Sequence, residues 1–229
     1  MRWLKIAAIS TILFYVIYLL KQIPRFGIQY LLSHSDIVLF ESFIFSIILS
    51  VISLFVFYGY IRLAAYIRNK FLHYTGWIVL IFVIIGLFSE ILLFSLFRKT
   101  IFFYANASII PILPYPTILS FIISVIFLIP YLLLGIALQK EKTLGFTKAT
   151  GIFIVINGLF AMMVLLFMLA PVFGDIRPIG NFLIVIALPA ILINKFISPL
   201  VFIILSILSI IMFFKASKQF ENNSPTTSY

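Results

Sequence analysis

Six long apolar runs dominate this chain and limit what it can fold into. They occupy residues 4–20, 37–61, 75–97, 117–138, 149–170 and 197–214. Each run is close to the about 20 residues that cross about 30 Å of hydrocarbon as a helix. Hydrophobic residues make up 64% of the 229 residues and charged residues only 10%. A soluble domain of this size has no means of covering so much apolar surface, so the sequence predicts an all-α integral membrane protein with a bundle of six transmembrane helices.

Positive charge is distributed unevenly between the connections and predicts the orientation of the bundle. One side holds ten Lys and Arg residues: Arg2, Lys5, Arg62, Arg68, Lys70, Lys140, Lys142, Lys148, Lys215 and Lys218. The other side holds six: Lys21, Arg25, Arg98, Lys99, Arg177 and Lys195. Because cytoplasmic connections carry the excess of Lys and Arg, this asymmetry predicts a multi-pass protein of the cell membrane with both termini in the cytoplasm.

The region before the last run is irregular. Residues 182–193 are apolar but too few to cross the membrane, and Pro189 lies among them. We expect a short interfacial or re-entrant segment here, followed by a last helix that begins at Ser198 and Pro199. The alternative is one long kinked helix over residues 182–214.

No connection is long enough to form a separate soluble unit, so residues 1–214 are predicted to be one transmembrane helical domain. Residues 215–229 are polar and include Asn222, Asn223 and Pro225. This composition predicts a disordered cytoplasmic tail. The connection at 100–116 is rich in Pro and aromatic residues, and its Asn106-Ala107-Ser108 sequence is a possible glycosylation site on the predicted outer side.

Few ionisable residues fall within the apolar runs, and Glu90 is the deepest of them. Glu41, Arg98 and Lys195 are predicted to lie near the same outer level of the bundle. A carboxyl group within hydrocarbon normally faces the bundle interior or a wet cavity. The four residues therefore form a candidate polar cluster, either a proton- or cation-binding site or a structural ion pair that holds the helices in register.

Two further residues are candidates for lining a path through the bundle or for packing its helices. Asn157 lies in the inner half of the fifth run, where interhelical hydrogen bonding is its common use. Pro130 lies in the middle of the fourth run, where proline predicts a kink and a carbonyl group without its helical partner.

Small residues recur at helical spacing on several runs. Ser42, Ser46 and Ser50 follow one another every four residues, and Ser53 lies close by. Ser120 and Ser124, Ser206 and Ser209, and Gly151 and Gly158 show related patterns. Such faces let helices approach closely. We interpret them as packing faces within the bundle, or alternatively as a surface that docks another subunit.

The chain lacks the motifs of membrane enzymes. It has no cysteine, no phosphate-binding glycine loop, no HExxH and no GxSxG sequence. We therefore expect neither catalytic residues nor a bound metal or cofactor. The favoured hypothesis is a non-catalytic subunit of a larger membrane complex, an accessory subunit or the conduit of a translocation machine. The alternative is a small-solute or ion transporter or channel that uses Glu90 as a proton or cation site.

The positive charge also predicts partners. The formal net charge is +10, and most of it lies beside the ends of apolar runs. In a membrane protein this charge meets anionic lipid headgroups at the cytoplasmic face, so lipid rather than nucleic acid is the expected contact. Other membrane subunits, or further copies of this chain, are the expected protein partners.

Overall fold

The computed structural model describes residues 2–22, 35–105, 114–141, 144–168 and 197–223, which form six helices and short turns and contain no strand. The helices are α1 (Arg2–Gln22), α2 (Ser35–Tyr66), α3 (Lys70–Ala105), α4 (Pro114–Gln139), α5 (Thr147–Met168) and α6 (Ser198–Asn223). Each helix contains one of the six apolar runs with at most two residues of the run left uncovered. The prediction of an all-helical fold is confirmed.

Four of these helices have the length and apolarity of membrane-spanning segments. The qualifying stretches are Arg2–Leu19, Phe43–Tyr66, Lys70–Ser89 and Ser198–Asn222. The apolar stretches described in α4 and α5 are shorter, Val125–Gln139 and Thr147–Met163. Helices that are apolar on every side are typical of membrane proteins, because within lipid a helix satisfies its own backbone hydrogen bonds.

The six helices form a ring. Each helix packs against its neighbours in the chain, and α6 packs against α1 to close the circle. Phe202 of α6 packs against α1, because its ring centroid lies 5.7 Å from that of Phe14 and 4.5 Å from that of Tyr18. Because successive helices run in opposite directions, the start of α1, the end of α6, the α2–α3 turn and the α4–α5 connection meet at one end of the ring. We call this the basic end.

The basic end is filled by a packed apolar core. Its fully buried members come from every helix of the ring except α5, and Ile154 of α5 is 2% exposed. Leu63 and Leu134 are fully buried between their neighbours, as is Phe213. The core therefore closes the ring at this end.

Polar contacts tie the two connections of the basic end together. Asn69 donates its backbone N–H to the carbonyl of Ala64 at 3.0 Å, while Arg68 takes a left-handed φ of 57°, and this arrangement ends α2. The Asn69 side chain then accepts the N–H of Leu72 at 3.0 Å and so caps α3. Its Nδ2 group also donates to Glu141 Oε2 at 3.0 Å, which joins the α2–α3 turn to the α4–α5 connection.

The last helix is longer than the sequence predicted. The predicted disordered tail from Lys215 is wrong as far as Asn223, because α6 continues to that residue. Tertiary contacts explain the extension. The Phe220 ring stacks on Tyr66 of α2 at 4.9 Å, and Glu221 forms a 2.6 Å ion pair with Lys5 of α1. These partners stabilise helix in a sequence that has no apolar run of its own.

The connection after α3 is also shorter than predicted. The prediction started this connection at residue 100, but α3 continues to Ala105.

Helix α6 begins at Ser198, with Pro199 in its first turn as expected. The proposed segment at 182–193 and the remaining tail, 224–229, lie outside the described residues.

A glycine contact brings α4 and α5 together and provides a test of the packing. A Cβ atom at Gly151 would lie 2.5 Å from the carbonyl oxygen of Gly135 and 2.7 Å from the backbone nitrogen of Gln139. Gly151→Ala should therefore push the helices apart and lower the stability by about 1–3 kcal/mol. The measurement is the midpoint of thermal unfolding in detergent. Gly86→Ala is the matched control, because a Cβ there would meet no atom within 4 Å. Equal effects of the two substitutions would contradict the close contact.

Candidate functional site

A cavity of about 910 Å³ lies inside the helix ring, and all six helices contribute to its wall. Tyr60 and Ser209 lie at the level of the buried core, at the floor of the cavity nearest the basic end. From there the wall extends along the helices, away from the basic end, to Ser46 and Ser89. A volume of this size is typical of small-molecule sites, which range over about 300–1,000 Å³.

Hydroxyl groups from facing helices supply most of the polar lining. The serine faces identified in the sequence contribute Ser46, Ser50 and Ser53 from α2, and Ser206 and Ser209 from α6. Their helical spacing places each set on a single face, and in the ring that face lines the cavity. By contrast, Gly151 and Gly158 of α5 contact α4 closely, as a packing face would.

The floor of the cavity holds one hydroxyl pair that joins two distant parts of the chain. The hydroxyl groups of Tyr60 and Ser209 are 3.0 Å apart. The Tyr60 side chain is only 3% exposed, and its ring packs against Phe213 with centroids 5.0 Å apart. This pair links α2 to α6 across the ring and satisfies two polar groups among apolar neighbours.

A second polar pair joins α4 to α5 in the cavity wall. Asn157 Nδ2 donates to the hydroxyl oxygen of Tyr131 at 3.3 Å. Pro130, which precedes Tyr131, is buried and lies inside the continuous helix α4. Because proline has no N–H, the carbonyl of Ile126 lacks its helical donor, and Ile126 is also in the cavity lining. Asn157 thus makes the interhelical hydrogen bond expected from the sequence.

The described residues that line the cavity include no charged side chain. Of the predicted polar cluster, Glu41 lies in α2, and Glu90 and Arg98 lie in α3. Their side chains lie outside the described part of the structure, as does the whole of Lys195. Asn106 is likewise outside the described residues. The cluster therefore stays a prediction.

Helix register distinguishes the members of that cluster. Glu90 follows Gly86 by four residues and Val83 by seven, and both of these residues line the cavity. At about 100° per residue, position 90 falls on the same face of α3. Position 41 is displaced by about 140° from Ser46, whereas position 98 lies within about 20° of Leu87, which also lines the cavity. The register thus places positions 90 and 98 on cavity-lining faces of α3 and position 41 away from the cavity-lining face of α2.

Tyr60 at the cavity floor and Tyr131 in the cavity wall were not among the site residues predicted from sequence. Tyr60 and Ser209 are 149 positions apart, and no local pattern relates them. The available signal was a polar hydroxyl group within a mainly apolar run, which marks a group that needs a partner.

Among the described residues, no group of three or more His, Asp or Glu side chains is arranged to hold a metal ion. No protein family, curated protein or solved structure matches the chain.

A double-mutant cycle tests the hydroxyl pair at the cavity floor. Ser209→Ala leaves the buried Tyr60 hydroxyl without a partner and should lower the stability by about 1–3 kcal/mol. Combined with Tyr60→Phe, the loss should be smaller than the sum, with a coupling of about 0.6–1.7 kcal/mol as for hydrogen bonds between membrane helices. Reversible unfolding in mixed micelles measures both quantities.

Ser206→Ala is the control for this cycle, because it changes a cavity serine on the same helix that does not bond to Tyr60. It should combine additively with Tyr60→Phe. Additivity in the Ser209 cycle as well would contradict the bond between Tyr60 and Ser209.

Proposed function

We propose that this protein is a multi-pass membrane transporter or channel that receives a small uncharged solute in its central cavity. The observation that carries the proposal is the cavity of about 910 Å³ at the centre of a closed helix ring. Packing between membrane helices does not require a space of this size, since small residues allow helices to meet directly. Its hydroxyl-bearing wall offers hydrogen bonds to an occupant.

The chemistry of the lining supports an uncharged solute. Burying an ion away from water costs several kcal/mol or more unless an opposite charge compensates it. The described wall supplies hydroxyl, amide and aromatic groups without such a charge. A neutral molecule with a few hydrogen-bonding atoms is the occupant that the described part of the wall fits.

The proposed topology has all six helices crossing the cell membrane, with the basic end in the cytoplasm and residues 182–193 as a re-entrant or interfacial segment. Contacts between Lys5 and Glu221 and between Lys215 and Phe146 support the meeting of termini and connections at one end. The positive charge gathered there supports the orientation and the contact with anionic lipids.

A membrane-impermeant thiol reagent should label Lys70→Cys from the cytoplasmic side. Labelling from the outer side would overturn the orientation.

The sequence-based hypothesis of a non-catalytic subunit is a second candidate. Tyr74, Ile81 and Phe88 recur every seven residues on α3 and are 65%, 50% and 67% exposed, and such a row suits docking against another helix as well as lipid. The test is extraction in a mild detergent followed by size-exclusion chromatography. A partner protein that is retained by the native chain and lost in Phe88→Ser would support docking, and a lone monomer would count against it.

Accessibility of the cavity can be measured directly because the chain has no cysteine. Ser50 lines the cavity, whereas the adjacent Val51 is 39% exposed on the outer surface of the helix. Ser50→Cys should react with N-ethylmaleimide at least about tenfold faster than Val51→Cys, because a thiol surrounded by lipid rarely ionises. Equal rates at the two positions would contradict a cavity that small molecules enter.

Glu90 is proposed to be a proton or cation site of this transporter or channel, which its register on the cavity face supports. Proteoliposomes containing a pH-sensitive dye should show proton uptake when a membrane potential is imposed. Glu90→Gln should remove most of this uptake, because the amide cannot carry a proton. Glu41→Gln is the matched control, since position 41 lies off the cavity face. Uptake that persists in Glu90→Gln would exclude Glu90 as the coupling site.

A further inference from the structure

The cavity wall presents a hydrogen-bond donor and an acceptor side by side. The Tyr131 hydroxyl oxygen accepts the bond from Asn157 Nδ2 at 3.3 Å. A tyrosine hydroxyl also carries one proton of its own that it can donate, and the Asn157 amide has an oxygen that can accept. Both side chains line the cavity. In the part of the chain that the structure describes, their bond to each other is the one hydrogen bond that either side chain makes.

Tyr60, at the cavity floor, uses its hydroxyl group for a hydrogen bond within the protein. Tyr60 is 3% exposed, and its hydroxyl group is paired with Ser209. The Phe57 ring stands between the two tyrosines, with its centroid 6.3 Å from that of Tyr60 and 6.4 Å from that of Tyr131. Both tyrosines line the cavity, but the Tyr60 hydroxyl is paired with Ser209, whereas the Tyr131 hydroxyl accepts a bond from Asn157 and keeps its own proton to donate.

Apolar side chains surround this donor–acceptor pair. Phe127 stacks beside the Tyr131 ring with centroids 6.4 Å apart. Ile126 from α4, Val83 from α3 and Leu205 from α6 contribute further apolar wall. An occupant of this space would have its polar group at Tyr131 and Asn157 and an apolar body along the remaining wall.

We infer that the cavity binds an uncharged amphiphile with a hydroxyl head group, and that Tyr131 and Asn157 recognise this head group. The inference rests on the proposed function and specifies its substrate class. A hydroxyl group accepts the Tyr131 proton and donates its own proton to the Asn157 oxygen, so both polar groups are satisfied. A pure hydrocarbon leaves the Tyr131 proton and the Asn157 amide oxygen without a partner, and a site built for a hydroxyl group discriminates against an analogue that lacks one.

The test compares 1-decanol with n-decane as probes of the purified full-length protein in detergent. Ligands that bind the folded state raise the midpoint of thermal unfolding. In the native chain, 1-decanol should give a larger rise than n-decane, with about fivefold tighter apparent binding, the ratio expected for one net hydrogen bond. Tyr131→Phe preserves the ring and should remove this difference between the two probes.

Tyr60→Phe is the matched control, because its hydroxyl group is used within the protein. Its unfolding midpoint falls, but the difference between 1-decanol and n-decane should remain. Equal stabilisation of the native chain by the two probes would overturn the inference, as would a difference that persists in Tyr131→Phe. Where Tyr131→Phe is too unstable to purify, Asn157→Leu replaces it with the same expectation.

The inference and the proposed function fail in different ways. If Ser50→Cys reacts no faster than Val51→Cys, the cavity admits no small molecule and the proposed function fails. If Ser50→Cys reacts rapidly but 1-decanol protects it no better than n-decane, the cavity is accessible and the hydroxyl head group is not recognised. The second result overturns only the inference.

Discussion

The packing of the last helix against the first converts a row of six helices into a ring. The Phe202 ring lies against α1, and the ion pair between Lys5 and Glu221 joins the two chain ends. Without this closure, the wall formed by α2–α5 would be an open groove in contact with lipid. The central cavity, the separation of an inner from an outer face on each helix, and the meeting of the basic connections at one end all depend on it.

Within the ring, the size of the side chains decides where helices meet and where they stay apart. Gly151 and Gly135 bring α4 and α5 into backbone contact, and Gly59 lets α2 approach Ala7 of α1. Because lipid provides no hydrophobic force that drives helices together, such close van der Waals contacts are the main source of adhesion. Close helix contacts leave no open space at the level of the buried core. The bulkier side chains of Phe57 and Phe202 line the cavity.

The helices were predictable from local sequence, but the extension of α6 and the assignment of its faces were not. Residues 215–223 have the local sequence of a polar tail. The contacts that make them helical join Phe220 to α2 and Glu221 to α1, which are distant in the chain. The serine faces were visible as spacing, yet spacing alone does not distinguish a packing face from the wall of a cavity. Asn157 was recognised as a hydrogen-bonding group, while its partner Tyr131 became evident only from the contact between α4 and α5.

The sequence by itself determined that the chain is helical and apolar enough for a membrane, because continuous apolar runs can satisfy their backbone in lipid only as helices. It also determined which connections carry the positive charge. The tertiary structure decided that the helices close into a ring, that the serines line a cavity, and that Tyr60 pairs with Ser209 while Tyr131 pairs with Asn157. These features depend on contacts between side chains as far apart in the chain as Lys5 and Glu221, and such contacts follow from how helices pack rather than from any local pattern of residues.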